Sequence, residues 1–430
     1  MSTDNASIVC STSDTYIDLV HPANRKSGAD YGSPRPDAMI RAYKFRMYPT
    51  AKQEDLLRAM LDDHRFLYNA ALQERREAWK RSRIAINYYA QTGQLSDIRA
   101  NDPDYARWSF TSQMATLRRL DRAFQAFFRR IKTGEKKAGY PRFKGAGYFD
   151  TVVHRNGDGA KWDSHQTQAR VRFQGVGDIK VKQHRAVTGR VKTVSAKREG
   201  RHWYITLSAD QELPAPLPKT GAVVGIDLAT GPNGLAYTSL GERIDNPAFG
   251  KASLSRLAEA NQAMSHTKRG SNRRRKARER VASVHRRVRN QRHDYLHKAA
   301  HRLVAGYDVI VAEKLTIAGM TRRPAPRPDG AGGYEPNGGS AKTGLNRSIL
   351  DAGWGTFLEL LRVKAESAGR DFIQVNPAYT SQTCSECGRR EAANRKGKDF
   401  LCLSCGHRAD ADINAAVNIL RAGLVLRDTA

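Results

Sequence analysis

TCSECGRREAANRKGKDFLCLSCGHRADADINAAVNIL, residues 383–420, holds two Cys-x-x-Cys pairs, Cys384/Cys387 and Cys402/Cys405, closely followed by Asp410-Ala-Asp412. Fourteen residues separate the pairs. The spacing C-x2-C-x14-C-x2-C folds two knuckles around one tetrahedral zinc. Gly388 and Gly406 follow the pairs, where a tight knuckle turn favours glycine. Four protein thiolates close the coordination shell, so the expected zinc is structural. A redox dithiol would call for a thioredoxin-like setting, which the flanking sequence lacks. The run DADINAAVNIL reads as a helix. Asp410 suits its N-cap, and Asp412 then falls in the first turn, free to serve as a ligand.

Working upstream, two further acids stand on apolar runs. AVVGIDLAT (222–230) reads as a buried strand carrying Asp227, and GLAYTSLGERI (234–244) as the next strands of an antiparallel meander. YDVIVAEKL (307–315) is a second buried strand ending in Glu313. A lone strand Asp is usually a turn residue, and a Glu beside a Lys is usually an ion pair. The ordered set is different: two acids at strand ends and one at a helix start match an RNase H-like fold. In that layout Asp227, Glu313 and Asp412 converge on two divalent cations, and hard carboxylate oxygens suit Mg²⁺ or Mn²⁺.

The rest of the chain divides by pattern. Residues 1–37, rich in Ser, Asp, Gly and Pro, read as a disordered leader. MIRAYKFRMYP reads as a strand, and Thr50 caps a helix beginning AKQEDLLRAM. A second helix from about Thr111 to Lys132 carries an apolar stripe and several arginines. Short alternating runs between Gly139 and Leu213 are an all-β signature. The expected fold class is therefore α+β and multidomain: a small β-barrel (38–49 and 139–215) interrupted by a helical region (50–138), then an RNase H-like domain (221–380 and 410–425) with an inserted zinc ribbon (381–409). LPAPLPK (213–219) is the stiff linker between the halves. Residues 321–346, rich in Gly and Pro, read as a candidate lid loop.

Charge names the partner. The 430 residues include 73 Lys or Arg against 43 Asp or Glu, a formal net charge of +30. Such an excess repels itself unless a polyanion is present, and nucleic acid is that polyanion. The cations cluster between Lys268 and Arg292, where Glu279 is the one acid and Val281, Val284 and Val288 give a helical stripe. Arg273, Arg274, Arg275 and Lys276 are its candidate backbone contacts. Cys10 is the odd thiol beside the two pairs, a pattern that fits reduced thiolates and a cytoplasmic protein. No apolar run reaches the roughly 20 residues of a membrane span, and no secretory signal is read at the N-terminus.

From Met39 onward the chain resembles the transposon-encoded TnpB (OrfB) family, relatives of compact type V CRISPR effectors. YKFRMYPTAKQ, HRFLYNAAL, AGYPRFKG, GIDLATGPNGLAYTSLG, VIVAEKL, GLNRSILDAGW, NPAYTSQTCSECG and CGHRADADINAAVNIL carry the resemblance, in that order. It implies an RNA-guided DNA endonuclease: a wedge barrel and helical recognition lobe holding a guide RNA, and a RuvC nuclease domain interrupted by a zinc ribbon. The target is double-stranded DNA bearing a short flanking motif. The family's catalytic acids fall on Asp227, Glu313 and Asp412, and its zinc thiolates on Cys384, Cys387, Cys402 and Cys405. Its flanking-motif readers fall near Tyr68, Asn69, Thr111 and Gln113. The chain departs from the pattern at Ala229, in the length of 321–346 and in its leader. A cleavage-inactive RNA-guided repressor, which would typically lack one of the acids, a strand-transfer transposase and a compact CRISPR effector are the alternatives.

Overall fold

The structure is a computed structural model that describes residues 38–429 apart from 136–137, 165–167 and 231–233; the expected leader lies outside the described residues. The chain forms two compact units that divide after Leu213.

The first unit is built on β1 (Ala38–Tyr48). Tyr43, Phe45 and Met47 alternate inward and are buried, while Lys44 and Arg46 between them are not. Six more strands follow the helices: β2 (Thr151–Asn156), β3 (Gly159–Asp163), β4 (Arg170–Phe173), β5 (Gly177–Lys182), β6 (Arg190–Glu199) and β7 (His202–Glu212). β1 pairs with β7 and, at its end, with β5, closing a seven-stranded barrel in the order β1-β5-β4-β3-β2-β6-β7. Closure leaves no open edge to aggregate. Between β1 and β2 lie two long helices, Ala51–Ser82 and Phe110–Lys132, with shorter ones between them. Thr50 starts the first through a capping box: its hydroxyl accepts from the Gln53 N–H, and the Gln53 side chain accepts from the Thr50 N–H.

Two histidines are sealed where these helices meet the barrel. His64 lies between the Met60 carbonyl (2.7 Å) and the Ser112 hydroxyl (2.8 Å). His154 packs its ring on Phe173, and neither of its ring nitrogens has a hydrogen-bond partner. Burial pushes His64 down to about 4 and His154 down to about 3. The unfolded chain takes up these protons below about pH 6.5 and the folded chain does not, so stability is present above that pH and is lost as pH falls. At pH 5 the loss is roughly 2 kcal/mol per histidine. Urea titrations of the full chain at pH 7 and pH 5 will show the drop. His154→Phe should flatten it, and an unchanged slope in that variant would contradict the assignment.

The second unit carries a five-stranded sheet. Its strands are β8 (Val223–Leu228), β9 (Ala236–Thr238), β10 (Arg243–Ile244), β11 (Val309–Glu313) and the edge strand Asp371–Val375, in the order β10-β9-β8-β11-edge. β8, β11 and the edge strand are parallel, and β8-β9-β10 is an antiparallel meander. All of β11 is buried, which its unbroken apolar run anticipates for a central parallel strand. The C-terminal helix Ala411–Asp428 lies across this sheet unusually closely. A Cβ on Gly225 would stand 2.1 Å from the Ala416 carbonyl oxygen, and one on Gly423 2.4 Å from Val311. These two glycines therefore set how near the helix start comes to the strand ends.

The basic stretch forms one helix, Asn272–Gly306, in contact with the preceding helix Leu254–Ser265. The segment 321–346 is not all loop. Arg327–Pro328 pairs with Tyr334–Glu335, and a helix begins at Gly339 and runs to Ala352. Its first turns, GSAKTG, have one apolar residue, Ala341, too few to reveal the period. The Asn346 side chain donates to the Thr321 carbonyl at 2.9 Å, fastening the two ends of the segment together. The ribbon strands Arg395–Lys396, Asp399–Leu401 and Arg408–Asp410 form a small antiparallel sheet that leads directly into the C-terminal helix. No helix among the described residues is long and apolar enough to cross a membrane.

Candidate active site and cysteine cluster

Three elements of the second unit deliver the acids. Ala312 pairs with Ile226 in parallel register, so the next residues along, Glu313 and Asp227, stand side by side on adjacent strands. Asp412 comes from the first turn of the C-terminal helix. Asp410 is the N-cap there, its carboxylate accepting from the N–H of Asp412 (2.8 Å) and Ile413 (3.4 Å). The division of labour between the two aspartates thus starts with the cap as expected.

Asp227 feels the charges of both other acids. Burial raises Asp227 well above the usual carboxylate range, and the charges of Glu313 and Asp412 raise it further; Arg395 and the Leu228 N–H oppose them. Burial also raises Glu313, against a hydrogen bond from the Thr380 hydroxyl at 2.7 Å and the Arg395 charge. A buried carboxylate kept near two others disfavours its own ionised form and so costs the fold stability at neutral pH. Such an arrangement makes these acids a candidate functional site.

Asp412 is neutralised from the ribbon. Arg395 reaches one of its oxygens at 2.9 Å and Lys398 the other at 2.7 Å, while Lys398 also donates to the Tyr237 hydroxyl at 2.8 Å. Arg395, Gly397, Lys398 and Asp412 join Leu228, Ala229, Thr230 and Trp354 in lining a cleft of about 370 Å³. The Trp354 indole holds the Ala229 carbonyl at 3.0 Å. Sequence reasoning missed Arg395, Lys398, Thr380 and Tyr237. The Arg-Lys-Gly-Lys turn between the cysteine pairs was the available signal for the cations. Thr380 is held in place by Asn418, whose side chain donates to the Thr380 (2.9 Å) and Thr383 (2.7 Å) carbonyls.

The four cysteines gather as expected. Their sulfur atoms all lie within 4.8 Å of one another, with 3.7 Å between Cys384 and Cys405 and 3.6 Å between Cys387 and Cys402. Four sulfurs about 2.3 Å from a central zinc sit roughly 3.8 Å apart, so the quartet has the edge of a zinc–thiolate tetrahedron. A disulfide would need about 2.05 Å. Among the described residues no carboxylate group closes on one point in this way. Asp227, Glu313 and Asp412 do not form such a cluster in this structure.

The expected nucleic-acid contacts fare unevenly. Tyr68 is buried against Phe149, and Gln113 is buried with its side chain bonded to Arg99 and the Tyr105 carbonyl. Asn69 exchanges two hydrogen bonds with the backbone of Lys144 (2.8 and 3.0 Å), and Thr111 bonds Ser109. In this structure Tyr68 and Gln113 build the first unit from within, and Asn69 is half-buried. Their helical stretches were legible in the sequence; their burial was not. Arg274 likewise turns inward, to the Met264 (2.9 Å) and Thr267 (3.0 Å) carbonyls, and closes the turn before the basic helix. Arg275 pairs with Glu279 at 3.3 Å, whereas Arg273 and Lys276 are exposed.

Comparison with known proteins identifies the family. Family profiles described as "Helix-turn-helix domain" (39–83), "Probable transposase" (205–323) and "Cas12f1-like, TNB domain" (354–419) match successive parts of the chain. The chain is 32% identical over 387 residues, 89% of its length and 92% of the relative's, to "Putative RNA-guided DNA endonuclease InsQ" of Escherichia coli (strain K12). It is 30% identical over 394 residues, 89% of each chain, to "Putative RNA-guided DNA endonuclease" of Streptomyces pristinaespiralis. The chain from a "Cas12f1-sgRNA-target DNA complex" superposes with a TM-score of 0.55 at 12% identity, covering 89% of this chain and 99% of that one, and so shares its fold. The chain belongs to the family of RNA-guided DNA endonucleases that includes InsQ, the TnpB family.

Proposed function

We propose that this protein is an RNA-guided DNA endonuclease of RNase H-like (RuvC) type. The convergence of Asp227, Glu313 and Asp412 from two strand ends and a helix start carries the reading. Guide RNA selects double-stranded DNA by base pairing, and the protein holds the heteroduplex by its shape and backbone and reads a short flanking motif. The high net positive charge supports that hold, with Arg273 and Lys276 as phosphate contacts.

The donor set fits two metals. Asp227, Glu313 and Asp412 would hold Mg²⁺ or Mn²⁺, whose chemistry is to activate water and stabilise the leaving oxygen of a phosphodiester. Thr380 orients Glu313, and the Asp410 cap fixes the helix turn that aims Asp412. Arg395 and Lys398 supply the countercharge that Asp412 has in this structure and stand where a phosphodiester would enter the cleft. Cys384, Cys387, Cys402 and Cys405 would hold a structural zinc, which would fix the ribbon that carries Arg395 and Lys398 and leads into Asp412. The protein works in the cytoplasm, where guide transcripts and DNA meet.

The test is reconstitution. RNA that co-purifies with the protein will be sequenced and transcribed, then combined with protein, Mg²⁺ and a DNA library bearing randomised flanks. Cuts confined to DNA that matches the RNA and carries one short flanking motif are expected. Cleavage indifferent to the RNA, or products joined by strand transfer, would overturn the reading.

A further inference from the structure

The end of the helix Phe110–Lys132 carries an aromatic cluster that the nuclease reading does not use. Phe127 and Phe128 lie tilted to one another, 5.2 Å between ring centroids, and Tyr140 stands edge-on to Phe127 at 5.2 Å. Buried Phe124 anchors the group, stacked on Phe128 at 6.2 Å and edge-on to Tyr140 at 5.5 Å. The outer members face solvent: Phe128 is 58% exposed, Tyr140 44% and Ile131, on the same helix face, 52%. Between Arg122 and Lys144 the sequence has eight Lys or Arg and one acid, Glu135.

We propose that Phe127, Phe128 and Tyr140 form a stacking platform for unpaired nucleotides of the guide RNA. The inference rests on the RNA-guided reading above. Exposed rings of this size are costly in water, and something covers them in the working complex. A second copy of this chain would bring two cationic surfaces together. A polyanion is attracted to the same charges. Duplex DNA keeps its bases stacked on each other, whereas a folded RNA offers splayed bases in loops and bulges that lie on aromatic faces. The rings are pre-packed on Phe124, so little ordering is needed when a base arrives.

Binding of the co-purifying RNA, transcribed and labelled, will be measured on the full chain at two salt concentrations. Phe128→Ala with Tyr140→Ala should weaken it roughly tenfold or more. Phe128→Leu with Tyr140→Leu keeps apolar bulk without a π face and should be nearly as weak, while Phe128→Tyr with Tyr140→Phe should bind as the parent does. The salt slope should be unchanged, since no phosphate contact is removed. Ultraviolet crosslinking should join RNA to the peptide holding Tyr140. Parent-like binding by a well-folded Leu variant, a loss confined to DNA binding, or a change only in oligomeric state would overturn the platform and leave the nuclease reading standing. Failure of the parent protein to bind RNA would remove both.

Discussion

Asp227→Ala will abolish target cleavage, by on the order of 10³-fold or more, while guide-dependent DNA binding stays at the parent level. Asp227 stands on the strand next to that of Glu313 and feels the charges of Glu313 and Asp412. Removing it also relieves the repulsion and burial that raise its pKa. The variant should therefore melt at or above the parent temperature, the pattern of a residue kept at a cost in stability for the sake of activity. Gel-shift binding, single-turnover cleavage and a thermal melt read the three effects together. Cleavage by Asp227→Ala at the parent rate would remove Asp227 from the chemistry. Lost binding and a lowered melting temperature would make it a structural residue.

Stripping the zinc, by chelation or by Cys402→Ser, should be as damaging by a different route. The ribbon has little core of its own beyond Cys384, Phe400, Cys402 and Ala411, and a metal bound by thiolates supplies folding free energy to such a domain. Losing it should loosen the segment from Cys384 to Asp410, release Arg395 and Lys398 from Asp412, and free the start of the C-terminal helix. One zinc per chain by elemental analysis, new protease cuts within 384–410 and loss of cleavage are expected together. The barrel unit should keep its own unfolding transition. Full cleavage by a zinc-free protein that retains an intact ribbon would refute the structural assignment.

Much of the site could be read before the structure because its signals are local. Cysteine spacing, the Asp410 cap three residues before the apolar run of the helix, and acids ending two unbroken apolar strands each follow from short-range rules. The barrel was legible for the same reason: alternation in β1 and in 170–212 survives the helical insertion. What could not be read depends on contacts between distant segments. Arg395 and Lys398 reach Asp412 across a hairpin, and Thr380 reaches Glu313 from a loop, so nothing in their immediate neighbours announces the pairing. Tyr68, Asn69 and Gln113 show the converse. The family resemblance placed them among the nucleic-acid readers, yet Tyr68 packs on Phe149, Gln113 bonds Arg99, and Asn69 bonds the Lys144 backbone. The helix Gly339–Ala352 escaped because polar and glycine residues open it, and its burial begins only at Asn346 and Ile349.

The most direct measurement is anomalous diffraction from crystals of the full chain soaked in Mn²⁺. Two manganese peaks should appear, each touching at least one of Asp227, Glu313 and Asp412 and both within reach of a shared carboxylate. The Arg395 and Lys398 contacts to Asp412 should lengthen as the ions take over its oxygens. Manganese absent from that corner at millimolar concentration, with the three carboxylates still well ordered, would contradict the account.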